Sequence, residues 1–87
     1  MGLALFKYMG IYFKQETPTG SIDGSNTAFE LSTPPVNAEG VQVYVDGLLK
    51  PLTPGSLGFT ISGTTVTLGT APVAGQHVYV CYPSTEE

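Results

Sequence analysis

From residue 17 to residue 83, proline or glycine interrupts nearly every stretch long enough for three helical turns. Proline removes a backbone donor and clashes with the preceding turn, and glycine inside a helix costs about 1 kcal/mol relative to alanine. The runs left between them are rich in Val, Thr, Tyr, Phe and Ile, which fit a pleated, half-buried surface. Strands are predicted over residues 28–31, 41–46, 48–50, 58–62, 64–68 and 77–82. The chain reads as all-β.

Alternation says which face turns inward. Val41, Val43 and Val45 share one side of a strand, and Gln42 and Tyr44 the other. Phe29 with Leu31, Phe59 with Ile61, and Val66 with Leu68 repeat the pattern. So do Val78, Val80 and Tyr82, which leave Tyr79 and Cys81 on the opposite side. Such strands close on each other as a small antiparallel β-sandwich or flattened barrel. The turns agree. Asp46-Gly47 between VYV and LLK carries the type I′ hairpin signal, because that turn needs positive φ at both central positions. Ser62-Gly63 predicts a second hairpin, and Pro34, Pro35, Pro51, Pro54, Pro72 and Pro83 fall outside the predicted runs, where no ladder donor is needed.

One phrase is written twice: FELSTPPVNAEGVQVYV from Phe29 to Val45, and VTLGTAPVAGQHVYV from Val66 to Val80. In each, an alternating strand runs into Thr-x-Pro-Val, a glycine-containing turn and a Val-Tyr-Val strand, with a connector two residues longer in the first copy. Each copy is a strand, a corner and a strand. Two matching corners of one sandwich would account for it, as would the common reuse of such corners in β proteins.

A domain of 87 residues buries only about 60 to 65% of the surface its unfolded chain exposes. Charged side chains make up 11% of the chain, against roughly 25% in ordinary soluble domains, so the surface must be largely Thr, Ser, Gly and Pro. Such a surface has little side-chain entropy to lose on contact, which points to an assembly component. The net charge is −4, with Lys7, Lys14 and Lys50 as the only cations, so nucleic acid is not an expected partner. The charge is uneven: Lys7 and Lys14 stand against Glu16 in residues 1–20, while Lys50 faces all the other acids. The apolar opening MGLALFKYMGIYFK is interrupted by Lys7 and is too short to span a bilayer; it reads as neither a membrane span nor a secretion signal. Phe6 stands where a myristoylation motif wants Ser or Thr.

The chain divides into an N-terminal arm (1–16), a linker and turn (17–26), the β-sandwich (27–83) and an acidic tail (84–87). Phe6, Tyr8, Tyr12 and Phe13 concentrate aromatic residues in the arm, and Gly10 disfavours a helix there. An extended, strand-like arm has two fates. It folds back as an edge strand of its own domain, or it adds to a neighbouring surface by strand addition, with aromatic anchors as hot spots. On the second reading the partner-binding residues are Leu3, Leu5, Phe6, Tyr8, Met9, Ile11, Tyr12 and Phe13, with Tyr44 and Tyr79 as exposed ring donors.

Chemistry is not evident. His77 is the only histidine and Cys81 the only cysteine, so neither a usual zinc site nor an intrachain disulfide can form, and Cys81 reads as an inert thiol in a strand. Asp23, Glu30, Glu39 and Asp46 are dispersed. IDGSNT lacks the ligand pattern of a calcium loop, and Asp23 and Asn26 are expected to bond their own backbone. No cofactor, metal or catalytic residue is predicted.

Taken in order, GSIDGSNTAFELSTPPV, VQVYVDGLLK and GFTISGTTVTLGTAPVAGQHVYVCY resemble a module of the structural proteins of tailed bacteriophages. Its pattern is roughly Gly-x-Ile-Asp-Gly-x-Asn-Thr-x-Phe-x-Leu, a Pro-Val turn, a Val-x-Val-Tyr strand, Asn/Asp-Gly-Leu, an aromatic-Thr-Ile/Val-Ser-Gly hairpin and a closing Ala-Pro-x-x-Gly-x-x-Val strand. The match runs over residues 20 to 82, with Ile22, Asp23, Gly24, Asn26, Thr27, Phe29 and Leu31 fitting its first part. The stretch TPGSLGF departs from the charged Gly-Asp-Asp-type run of the module. The resemblance implies a small β-sandwich in the virion, without catalytic residues, made in the host cytoplasm. The function expected is capsid decoration or cementing, in many copies or as a homo-oligomer, on the major capsid protein or another virion protein. A neck, tail or fibre adaptor is the alternative, and a carbohydrate-binding module using Tyr44 and Tyr79 a further one.

Overall fold

The structure is a computed structural model describing residues 6–8, by their backbone, and 11–85. The alternating runs fold as eight strands: β1 (Phe6–Tyr8), β2 (Ile11–Glu16), β3 (Ala28–Glu30), β4 (Gln42–Val45), β5 (Leu48–Lys50), β6 (Phe59–Ser62), β7 (Thr65–Leu68) and β8 (Val78–Ser84). No helix occurs among the described residues. The strands form two antiparallel sheets, one ordered β1-β2-β8-β4-β5 and the other β3-β7-β6. The fold is all-β, as the punctuation by proline and glycine predicts.

Asp46 (φ 51°) and Gly47 (φ 82°) both occupy the left-handed region that a type I′ turn demands, joining β4 to β5. The second hairpin turns on Gly63-Thr64, one residue later than expected. Gly63 (φ 59°) supplies the positive φ, and Ser62 pairs directly with Thr65.

The inward sets meet between the sheets. Phe29, Leu31, Phe59, Val66 and Leu68 pack from one side against Val41, Val43, Val45, Val78, Val80 and Tyr82 from the other. Burying a side chain of this kind contributes about 1.5–3 kcal/mol relative to leaving it exposed. Only Phe59 and Tyr82 of this core lie outside the two copies of the repeated phrase.

The registers show why the phrase is written twice. Each copy leaves the three-stranded sheet, turns a corner and enters the five-stranded sheet, as β3 to β4 and as β7 to β8. Equivalent residues of the two copies then pair with each other: Phe29 opposite Val66, with Ala28 opposite Thr67 and Glu30 opposite Thr65. In the other sheet Tyr44 lies opposite Tyr79, with Val43 opposite Val80 and Val45 opposite Val78. This is the pairing of two strand-corner-strand units about a pseudo-twofold axis through Phe29/Val66 and Tyr44/Tyr79.

β8 runs past the predicted end, through Pro83 to Ser84, which is fully buried and so belongs to the sandwich and not to a tail. Proline is tolerated in this strand because β4 begins only at Gln42, opposite Cys81, so no β4 rung is missed at Pro83. The Pro83 carbonyl accepts the Val36 N–H instead, at 2.8 Å. In the preceding linker, Asp23 Oδ1 accepts the N–H groups of Ser25 and Asn26, both at 2.9 Å, the local turn chemistry expected of it.

Candidate functional site

Strand parity divides each sheet into a core face and an outer face, and the two outer faces differ in chemistry. On the three-stranded sheet the outward positions are Ala28, Glu30, Thr60, Ser62, Thr65 and Thr67. The Glu30 carboxylate there accepts hydrogen bonds from Thr64 Oγ1 at 3.0 Å and Thr65 Oγ1 at 2.6 Å. This is a face of small hydroxyls.

On the five-stranded sheet the outward positions form rows of larger, uncharged side chains. Tyr79, Tyr44 and Leu49 line up across β8, β4 and β5. Gln15, Cys81 and Gln42 line up across β2, β8 and β4, and Phe13 lies opposite Pro83. Phe13 is 48% exposed, Leu49 55% and Tyr79 40%, while Tyr44 is half-buried. None of these positions carries a charge. Strands lie about 4.8 Å apart, so the Tyr79–Tyr44–Leu49 row spans about 10 Å. Cys81, half-buried in the middle row, has its thiol pushed above its ordinary value by burial, which favours the unreactive thiol.

The structure brings Phe13, Tyr44 and Tyr79 to one face. Ile11 precedes Phe13 on the outward parity of β2 and is half-buried. Tyr12 sits on the opposite parity, opposite Ser84 on the core side. Phe6 and Tyr8 are in β1, in register with Phe13 and Ile11. Leu3, Leu5 and Met9 lie outside the described residues. Residues 11–16 of the arm are thus a strand of their own sheet, paired along β8. Leu49, Gln15, Gln42, Cys81 and Pro83 complete the face and were not among the expected site residues. The alternation of LLK opposite VYV was the available signal for Leu49.

A second cluster ties the arm to the body on the inner side of β2. Tyr82, 2% exposed, donates its hydroxyl to Glu16 Oε1 at 2.5 Å and lies 3.1 Å from Thr33 Oγ1. Ser32 gives Glu16 both its N–H (3.0 Å) and its hydroxyl (2.7 Å). Lys14 Nζ donates to Thr33 Oγ1 at 3.0 Å, and Ser84 Oγ reaches the same oxygen at 3.2 Å and the Pro34 carbonyl at 3.0 Å. Burial raises the Glu16 pKa, but the bonds from Tyr82 and Ser32, with the nearby Lys14 charge, outweigh it and hold the carboxyl below its ordinary range. Burial and the Glu16 bond push the Tyr82 phenol upward. Every buried side-chain polar atom among the described residues is partnered, so the cluster is a satisfied joint.

No protein-family model, curated protein or solved structure matches this chain.

No group of three His, Cys, Asp or Glu among the described residues could hold a metal ion. A hollow of about 200 Å³ lined by Thr53, Pro54, Phe59, Thr67 and Leu68 is below the roughly 300–1,000 Å³ of small-molecule sites. His77 is exposed, and its N–H donates to Asp46 Oδ1 at 2.9 Å, a contact of the hairpin end.

Proposed function

We propose that this chain is a non-enzymatic structural protein of a bacteriophage virion that decorates or cements the capsid, docking through the outer face of its five-stranded sheet and the N-terminal hairpin at that sheet's edge. The observation that carries the reading is the uncharged face itself, with Phe13, Tyr44, Leu49 and Tyr79 exposed or half-exposed together. Interface centres are depleted in charge and enriched in aromatic side chains, and a contiguous patch of this kind on a small domain marks a contact surface. The ordered series of motifs over residues 20 to 82 supplies the virion context.

Size says how the face would be used. Five strands at about 4.8 Å spacing and about 17 Å of length give roughly 400 Å², half the roughly 800 Å² per partner of a standard interface. One contact is weak, and many copies on a lattice make it cumulative. The test is the number of copies in purified particles of the encoding virus, measured by quantitative mass spectrometry, for the parent and for Tyr44→Ala/Tyr79→Ala. Hundreds of copies, falling in the double variant, support decoration; a dozen or so point to a neck, tail or fibre adaptor. Absence from particles, or occupancy indifferent to the face, overturns the proposal. To probe the arm, removal of residues 2–10 is preferable to a cut through residue 14, which would take half of β2 and the Lys14 contact with it.

A second reading rests on Tyr44 and Tyr79 lying side by side with Gln42 and Gln15 in the next row. Flat aromatic rings flanked by amides suit sugar stacking, and a glycan array silent towards the parent protein retires it.

A further inference from the structure

β2 contributes no side chain to the hydrophobic core of the described residues, which is built from residues of the other elements. Two things hold it. The first is a backbone ladder along β8, from Tyr12 opposite Ser84 to Glu16 opposite Val80. The second is the polar joint in which Glu16 meets Tyr82 and Ser32, and Lys14 meets Thr33. On the strand's side both lie wholly within residues 12–16, and every partner group belongs to the body of the domain. Just after β2 the chain anchors itself. Pro18 is buried, and Thr19 exchanges two backbone hydrogen bonds with Glu30, each 2.9 Å. Thr17, exposed, is the one joint between strand and anchor.

A strand held by a ladder and by polar side chains, beyond a single exposed joint, can be replaced by the same strand of another copy with each of these contacts reproduced. The closed and exchanged forms then differ only at Thr17 and in the entropy of association. Thr17 alone bridges Glu16 and the buried Pro18, about 7 Å of extended chain, so the copy that receives the strand must bring its β8 directly beside the anchor.

We propose that residues 11–16 are an exchangeable donor strand: in assembled copies they occupy the β8 edge of a second copy of this chain, with Glu16 and Lys14 seated on that copy's Tyr82, Ser32 and Thr33. Reciprocal exchange gives a dimer, and exchange passed from copy to copy gives a ring or an open array.

The register supplies the test, because Gln15 lies directly opposite Cys81, both on the outer face. Parent chains, carrying Cys81 alone, are mixed with Gln15→Cys/Cys81→Ser chains, co-refolded at high concentration and treated with a short bis-maleimide. Exchange produces a two-chain product in the mixture, above either chain alone, with a peptide map joining position 15 to position 81. The Gln15→Cys chain with its native Cys81 serves as the reach control, losing both thiols to a link within one chain. With that control positive, a mixture no richer in two-chain product than its components overturns the proposal. Mixed as folded proteins, Glu16→Ala versions should form the 15–81 link about tenfold faster or more, as expected for loss of the three charge-assisted hydrogen bonds that Glu16 accepts in the closed state. An unchanged rate would remove Glu16 as the latch.

Discussion

Replacing Tyr82 by phenylalanine removes one oxygen and keeps the ring, which is 2% exposed in the core. The lost hydroxyl is the donor to Glu16 Oε1 and the neighbour of Thr33 Oγ1. A hydrogen bond to a charged group is worth about 1.5–3 kcal/mol. Glu16 is half-buried and keeps both bonds from Ser32, which argues for the low end. Tyr82→Phe is therefore expected to cost about 1.5 kcal/mol, a fall of about 6–12 °C in Tm for a chain of this size. Urea and thermal denaturation followed by circular dichroism measure it. The pH dependence gives a second, independent reading. Because the Glu16 carboxyl is held below its ordinary value of 4.5, its contribution is full above that pH and is lost as pH falls through the lower folded value. Because the Tyr82 phenol is held above its ordinary value of 10.0, its contribution is full below that pH and is lost as pH rises through the higher folded value. The gap between parent and variant should thus be flat through the neutral range and narrow at both extremes. A gap under about 0.5 kcal/mol at neutral pH, or one undiminished in strong acid, would refute the assignment of Glu16 and Tyr82 as a joint.

Two further substitutions probe the ends of the sandwich. Asp46 combines φ 51° with an acceptor for the His77 N–H, so Asp46→Ala should cost about 2 kcal/mol in urea denaturation, while Asp46→Asn, which tolerates that φ and can accept the same bond, stays within about 0.5; equal losses would sink the account. A Cβ at Gly69 would lie 1.7 Å from the Gly55 carbonyl oxygen, so Gly69→Ala must displace the loop before β6 and should cost about 1–3 kcal/mol; an unshifted urea midpoint would mean that the loop does not rest there.

The sandwich was legible because its signals are local and agree with one another. Val43 and Val45 on one parity with Tyr44 on the other, and Asp46-Gly47 at the turn, need no distant partner to be read. The outer face of the five-stranded sheet was half legible. Tyr44 and Tyr79 could be named as outward residues, but their direct pairing depends on a register between segments far apart in the chain. β2 was the least legible element because its pattern is inverted. Ile11 and Phe13 look like the inward residues of IYFKQE, yet pairing with β8 turns Lys14 and Glu16 towards the core side, where Tyr82, Thr33 and Ser32 satisfy them. A one-residue change of register reverses every side chain, and only the partner strand fixes it.

The pairing of Tyr44 with Tyr79 has one more consequence. A half-turn about that pair exchanges one tyrosine for the other but puts His77 in the place of Gln42, so the middle of the sheet repeats itself only at the two rings. The two poses differ further at the flanks, where β2 presents Phe13 and Gln15 and β5 presents Leu49. Under the proposed docking, β2 is the element that gives the molecule a heading. On that proposal Phe13→Ala/Gln15→Ala, which leaves the ladder and the Lys14 contact in place, should give a body that still adheres but no longer knows which way to point.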